Sequence, residues 1–178
     1  MVVLSRVHVY YPSIVVRYYK NVFQALQPDF APLKHIMPAP SFSFIHAADL
    51  HLGAAFSGLT RQASALAEVL EKAAYTALDN LVKLALTEKP AAVLLAGDVY
   101  NRETGSAKAL LALRDACAAL GQAGINVFMV HGNHDPLTGQ DLISWPDTVH
   151  IFGSEAVGVA PVIRDGEPLA LVHGISHN

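Results

Sequence analysis

Three short apolar runs, separated by two long stretches with helical periodicity, constrain the fold of this chain more than any other feature of its sequence. The first run is Phe42 to Ala47. From Thr60 to Glu88 apolar residues then recur at Leu66, Leu70, Ala74, Leu78, Leu81 and Ala85, mostly three or four apart, which is one face of an amphipathic helix. Glu68, Glu71, Lys72, Asp79 and Lys83 supply its wet side, and Pro90 marks its end. Ala91 to Ala96 is a nearly unbroken apolar run, as expected of a strand buried on both faces. A second helix is predicted from Ser106 to Leu120, with Leu110, Leu113, Cys117 and Leu120 on one stripe and Gly121 and Gly124 beyond its end. Asn126 to Val130 is the third strand. This order predicts an α/β fold with right-handed crossovers and a parallel sheet, whose ligand sites lie at the carboxyl ends of the strands. Past Asp135 the pattern gives shorter candidate strands at Val149–Phe152, Val157–Ile163 and Leu169–Val172, with a turn at Asp165-Gly166.

Composition sets the class. The 178 residues are 52% apolar and 15% charged, enough for one domain with a core and too apolar for disorder. No apolar stretch approaches the ~20 residues that a membrane-spanning helix needs. The single cysteine, Cys117, rules out an internal disulfide framework; it reads as a core residue and suits a reducing, cytoplasmic setting.

Residues 1–40 differ from the rest. They are basic and aromatic, and Pro32, Pro38 and Pro40 crowd their end. Arg6, Arg17, Lys20 and Lys34 against Asp29 give residues 1–36 a charge of +3, which leaves −6 on the remainder of a chain whose net charge is −3. Such an acidic body does not attract nucleic acid by bulk electrostatics, so a phosphate substrate would need local cations such as bound metals. Residues 1–40 are expected to form an irregular extension, and 41–178 the folded domain. A boundary is placed near Met37, the expected natural start of translation. Arg6, His8 and Arg17 interrupt the apolar stretch, and no small-residue cleavage site follows, which argues against a secretory signal.

Each of the three main strands runs into residues able to bind a cation. The first ends in Ala48-Asp49-Leu50-His51-Leu52-Gly53. In an extended segment, carboxylate and imidazole two residues apart point the same way and can reach one ion. The second ends in Ala96-Gly97-Asp98-Val99-Tyr100-Asn101. A carboxylate at the mouth of a buried strand is costly unless compensated, and bridged divalent ions would compensate it. The third ends in Val130-His131-Gly132-Asn133-His134-Asp135, where an asparagine oxygen is a neutral ligand and the adjacent histidine projects elsewhere. Taken singly, these segments also suit a solvated loop, a helix N-cap and a polar turn. Their occurrence at three successive strand ends is what those readings leave unexplained.

Asp49-Leu50-His51, Gly97-Asp98 and Gly132-Asn133-His134-Asp135 together resemble the opening motifs of calcineurin-like metallophosphoesterases. More narrowly, Phe44-Ile45-His46-Ala47-Ala48-Asp49-Leu50-His51-Leu52-Gly53 is similar to the start of SbcD-type DNA repair exonucleases. The resemblance covers residues 42–178 and implies the N-terminal portion of an α/β/β/α sandwich. It implies that Asp49 and His51 hold a first divalent ion, Asp98 bridges two, Asn133 binds the second, and His134 is the catalytic residue facing the scissile phosphate. Asp135 is expected to orient His134. The mixed oxygen and nitrogen donors suit manganese, iron or zinc better than calcium, and the exonuclease branch implies manganese. By the same resemblance, DNA is the expected substrate and an ATPase subunit the expected partner.

The family pattern also calls for a further histidine and a later Gly-His-x-His segment, neither of which is clear in this sequence. His173 is therefore open to two readings, as a ligand of the kind small phosphatases use or as part of a structural strand, and the structural one is preferred. The first would make the chain a phosphomonoesterase or cyclic nucleotide phosphodiesterase; an inactive fragment is the non-enzymatic alternative. His46 and His131 read as residues beside the site, whereas His8, His35 and His150 carry no positional signal. Arg61, Arg102 and Arg164 are candidates for phosphate contacts, set against the usual solvated surface role of isolated arginines.

Overall fold

A computed structural model describes residues 2–5, 14–17, 42–54, 64–104, 107–137 and 143–178. Its strands are β1 (Val2–Ser5), β2 (Ile14–Arg17), β3 (Phe44–Ala47), β4 (Ala92–Ala96), β5 (Asn126–Val130), β6 (Val149–Ile151), β7 (Gly158–Arg164) and β8 (Glu167–Gly174). Helix α1 (Ser64–Glu88) precedes β4, and α2 (Ala107–Gln122) precedes β5. The chain is therefore α/β, with two sheets. The first has the order β1-β3-β4-β5-β6, and its last four strands are parallel. The second is antiparallel, in the order β2-β8-β7.

Alternation along the strands makes the layers. Ile45, Ala47, Val93, Leu95, Val127 and Met129 face one way, against Leu78, Leu81 and Ala85 of α1 and Leu113, Cys117 and Leu120 of α2. Phe44, Leu94, Phe128 and Val130 face the other, against Ala160, Val162, Ala170 and Val172 of the second sheet. Helices, first sheet and second sheet thus form three packed layers with an apolar seam on each side of the parallel strands, which explains the unbroken apolar run of β4. At the seam between the sheets, Phe152 is buried beneath Gly158 and Gly174, where any added Cβ would strike its ring.

The predicted elements are found with shifted ends, and one expectation is corrected. Leu66 and Leu70 belong to the apolar face read from periodicity, yet both are exposed, together with Val69. Length explains this: a helix of 25 residues is ~37 Å long, whereas the parallel strands have three to five residues and span roughly 17 Å at most. The core contacts of α1 include Ala74 and Tyr75 and continue through Leu78, Leu81 and Ala85. The residues predicted to begin this helix, 60–63, lie outside those described. Within the stretch expected to be irregular, β1 pairs antiparallel with β3 and β2 with β8, which gives those two strands partners along otherwise open edges. Met37 lies outside the described residues. The Asp165-Gly166 turn joins β7 to β8 with both residues at positive φ, 54° and 81°, the backbone a tight hairpin of right-twisted strands requires. Among the described residues no helix is long and apolar enough to cross a membrane.

Candidate metal centre

The loops that follow β3 and β4 run side by side past the end of the sheet. The Asp49 amide donates to the Gly97 carbonyl at 3.1 Å, the His51 amide to Asp98 at 2.9 Å, and the Leu52 amide to Val99 at 3.1 Å. The return bond runs from the Asn101 amide to Leu52 at 2.9 Å. Within this ladder Asp49, His51 and Asp98 all take the left-handed backbone conformation, with φ of 55°, 47° and 49°. Aspartate and histidine tolerate that region better than most residues, but each still costs of order 1 kcal/mol, and such strain concentrates at functional sites. Extended alternation would point Asp49 and His51 the same way, but two left-handed turns bring them together instead.

One donor atom from each of Asp49, His51 and Asp98 lies within 4.8 Å of the other two. Two carboxylates and an imidazole converging at that distance match the donor set and spacing of a divalent transition-metal site. Asp49 is exposed while His51 and Asp98 are half-buried, so a cation would enter from solvent. Burial holds the neighbouring His46 below its ordinary pKa of 6.5, with Asp49 pulling the other way. His46 faces the second sheet from β3 and is buried.

The loop after β5 closes the site. Asn133 and His134 are exposed there. The His134 amide donates to Oδ1 of Asp98 at 2.9 Å, and its ring meets that of His51 edge to face at 5.1 Å between centroids. Gly132 is needed where this loop crosses the preceding one: a Cβ on it would sit 2.6 Å from the Asp98 nitrogen and 2.8 Å from Cγ of its carboxyl group. Arg102 braces the loop, its amide donating to the His134 carbonyl at 3.0 Å and its guanidinium to the Pro136 carbonyl at 3.1 Å. Arg164 is placed elsewhere, donating to the Lys89 carbonyl before β4, at the opposite end of the strand from the ligands. Arg61 lies outside the described residues.

Asp135 departs from its expected part. Its buried carboxylate accepts three backbone N–H bonds, from Asp98 at 3.0 Å and Gly132 at 2.6 Å on Oδ1 and from Val99 at 3.0 Å on Oδ2. It therefore holds main chain, and the His134 ring is not among its partners in these bonds. A fully buried carboxylate needs such donors, and the backbone amides of the converging loops are the groups within reach. His131, also buried, bonds through Nδ1 to the Asp135 carbonyl at 2.7 Å. Ser176 accepts from the His131 amide at 3.0 Å and donates to the Phe152 carbonyl at 2.6 Å, which ties the end of the second sheet to the metal loops. Neither Gly132 nor Ser176 stood out as a positioning residue in the sequence. The signal for the first is the glycine before the Asn-His pair, and for the second the Gly-x-Ser of Gly174-Ile175-Ser176, which resembles a structural strand of the exonuclease-like branch. His173 alternates with the buried Val172 and so lies on the face of β8 turned away from the first sheet, paired with Val159 and half-buried, with its Nε2 shielded from solvent. It is not among the converging ligands.

Comparison with known proteins places the chain in a family. The family model described as calcineurin-like phosphoesterase matches residues 42–175. An uncharacterized metallophosphoesterase of Bacillus subtilis, YhaO, is 33% identical over 136 residues, which are 76% of this chain and 33% of that protein. The DNA double-strand break repair protein Mre11 of Aeropyrum pernix is 31% identical over 97 residues, 54% of this chain and 22% of the relative. The chain thus spans a third or less of the length of these relatives. With a matching family model across most of its length and an Asp-His-Asp cluster at its strand ends that could hold a metal ion, the chain belongs to the calcineurin-like phosphoesterases.

Proposed function

We propose that this chain carries the metal-binding portion of a two-metal phosphodiesterase that acts on DNA. The convergence of Asp49, His51 and Asp98 within 4.8 Å, beside the exposed His134, is the observation that carries this reading. Asp49 and His51 would hold one ion, Asn133 would serve a second, and Asp98 would contribute to both. Two such ions, when bound, supply a hydroxide nucleophile and neutralise charge on the phosphorus centre. His134 donates a proton or hydrogen bond to the departing or equatorial oxygen, from a loop whose amide is already fixed on Asp98. Manganese suits this donor set, with iron and zinc as alternatives. The preference for DNA rests on the similarity to a relative named as a DNA double-strand break repair protein. An ATPase subunit as partner and a cytoplasmic setting belong to the same proposal, as does the division at residue 40.

A phosphomonoesterase or cyclic nucleotide phosphodiesterase completed by His173 is the second reading, and the position of His173 on the face of β8 turned away from the first sheet weighs against it. An inactive fragment is the third. Hydrolysis of bis(p-nitrophenyl) phosphate and p-nitrophenyl phosphate with Mn2+ separates the three. The proposal expects diester turnover that Asp98→Ala abolishes. Monoester turnover alone, or turnover of either substrate that His173→Ala abolishes, supports the second reading, and no turnover of either substrate supports the third.

A further inference from the structure

We propose that Asp135 is a positioning residue for the metal centre: its buried carboxylate holds Asp98 in the left-handed conformation that presents the Asp98 side chain to the cation. This rests on the metal-centre reading above and extends it. The geometry that carries it is the gathering of three amides from two different loops by one carboxylate. Asp98 and Val99 follow β4, Gly132 follows β5, and all three N–H groups end on Asp135 at 2.6 to 3.0 Å.

Two further contacts give the arrangement its direction. Asp98 has φ of 49°, and a bond to its own amide and one to the next amide clamp the residue from both sides. The Asp98 carboxylate in turn accepts the His134 amide from the loop in which Asp135 lies. The two aspartates thus exchange bonds with each other's loops: Asp135 takes amides from the Asp98 segment, and Asp98 takes one from the Asp135 segment. Gly132 lies at the crossing, where its missing Cβ leaves room for the Asp98 carboxyl group. The ligand is set in place before any cation arrives, and the reorganisation that binding would otherwise require is avoided. Full burial of Asp135 keeps water from competing for the three amides.

The test is Mn2+ affinity by calorimetry for the whole chain, the Asp135→Asn and Asp98→Ala variants, and the double variant. Replacing one oxygen by an NH2 group sets a donor against amide donors, so Asp135→Asn is expected to weaken Mn2+ binding by about tenfold or more. Because Asp135 acts through Asp98, the same change in the Asp98→Ala background is expected to leave residual affinity unaltered. Equal losses in both backgrounds would mean general loosening and overturn the proposal, as would unchanged affinity in Asp135→Asn. Amide hydrogen exchange of the metal-free wild-type chain tests the clamp without any variant. Slow exchange at Asp98, Val99 and Gly132 before metal is added is expected; rapid exchange that slows only after metal binds contradicts a preset ligand. A wild-type chain that binds no Mn2+ defeats the metal-centre reading, and the exchange measurement then still decides whether Asp135 presets the loop.

Discussion

The main-chain amide of His134 donates to Oδ1 of Asp98 at 2.9 Å, which fastens the histidine proposed for catalysis to the carboxylate proposed to bridge the metal ions. The bond uses backbone, so it survives replacement of the His134 side chain. His134→Asn is therefore expected to lose about 10²–10⁴ in turnover while keeping Mn2+ affinity. Steady-state diester hydrolysis beside a calorimetric titration checks this. Loss of metal binding in the variant would move His134 from catalysis to ligation.

Gly132→Ala places a methyl group against Oδ1 of the Asp98 carboxyl, 2.8 Å from its Cγ and 2.6 Å from the Asp98 amide nitrogen. Both neighbours are held, the amide by Asp135 and the carboxyl by His134. The variant is expected to lose roughly 1–3 kcal/mol of stability and to bind Mn2+ more weakly, because the only relief is movement of Asp98. Urea unfolding and a metal titration on the same preparation measure both effects.

Acid is expected to weaken the metal-free fold through His46. Burial lowers its pKa from 6.5, so the folded state favours the neutral ring and the unfolded chain takes up the proton first. Above pH 6.5 the ring is neutral in both states and contributes nothing. As pH falls through 6.5 the unfolded state gains a proton that the folded state resists, and stability declines until the folded-state pKa is passed. Thermal midpoints between pH 8 and 5 should fall in acid, and His46→Gln should fall less steeply.

Cys117 is fully buried on the sheet-facing side of α2, and burial pushes its thiol up to about 12. Iodoacetamide at pH 8 is expected to leave the native chain unmodified and to label one site in urea, because the thiolate is the reactive form and the native thiol is neither ionised nor accessible. Mass spectrometry reads the result directly.

The layers of the fold were legible because periodicity and apolar runs report which face of an element is buried. The parallel order of β3, β4 and β5 followed from it, and so did the placement of Asp49, His51 and Asp98 at one end of the sheet. Less was readable in α1, where the same periodicity continues through Leu66 and Leu70 into turns that overhang the sheet. Pattern along a helix does not report how far its neighbours extend. The left-handed turns at Asp49 and His51 were also hidden, since two residues at a spacing of two converge equally well on paper from an extended segment. Asp135 shows the limit most clearly. Its neighbour His134 is adjacent in sequence, but its three partners come from backbone amides up to 37 positions away, and backbone amides leave no mark on a sequence.

Titration of the whole chain with Mn2+, against Asp98→Ala and Asp49→Ala, tests the central claim most directly. Saturable binding by the wild-type chain that is lost or weakened at least about tenfold in both variants is the predicted result. Binding that is absent from the wild-type chain, or that both variants retain at full strength, would contradict a metal centre at Asp49, His51 and Asp98.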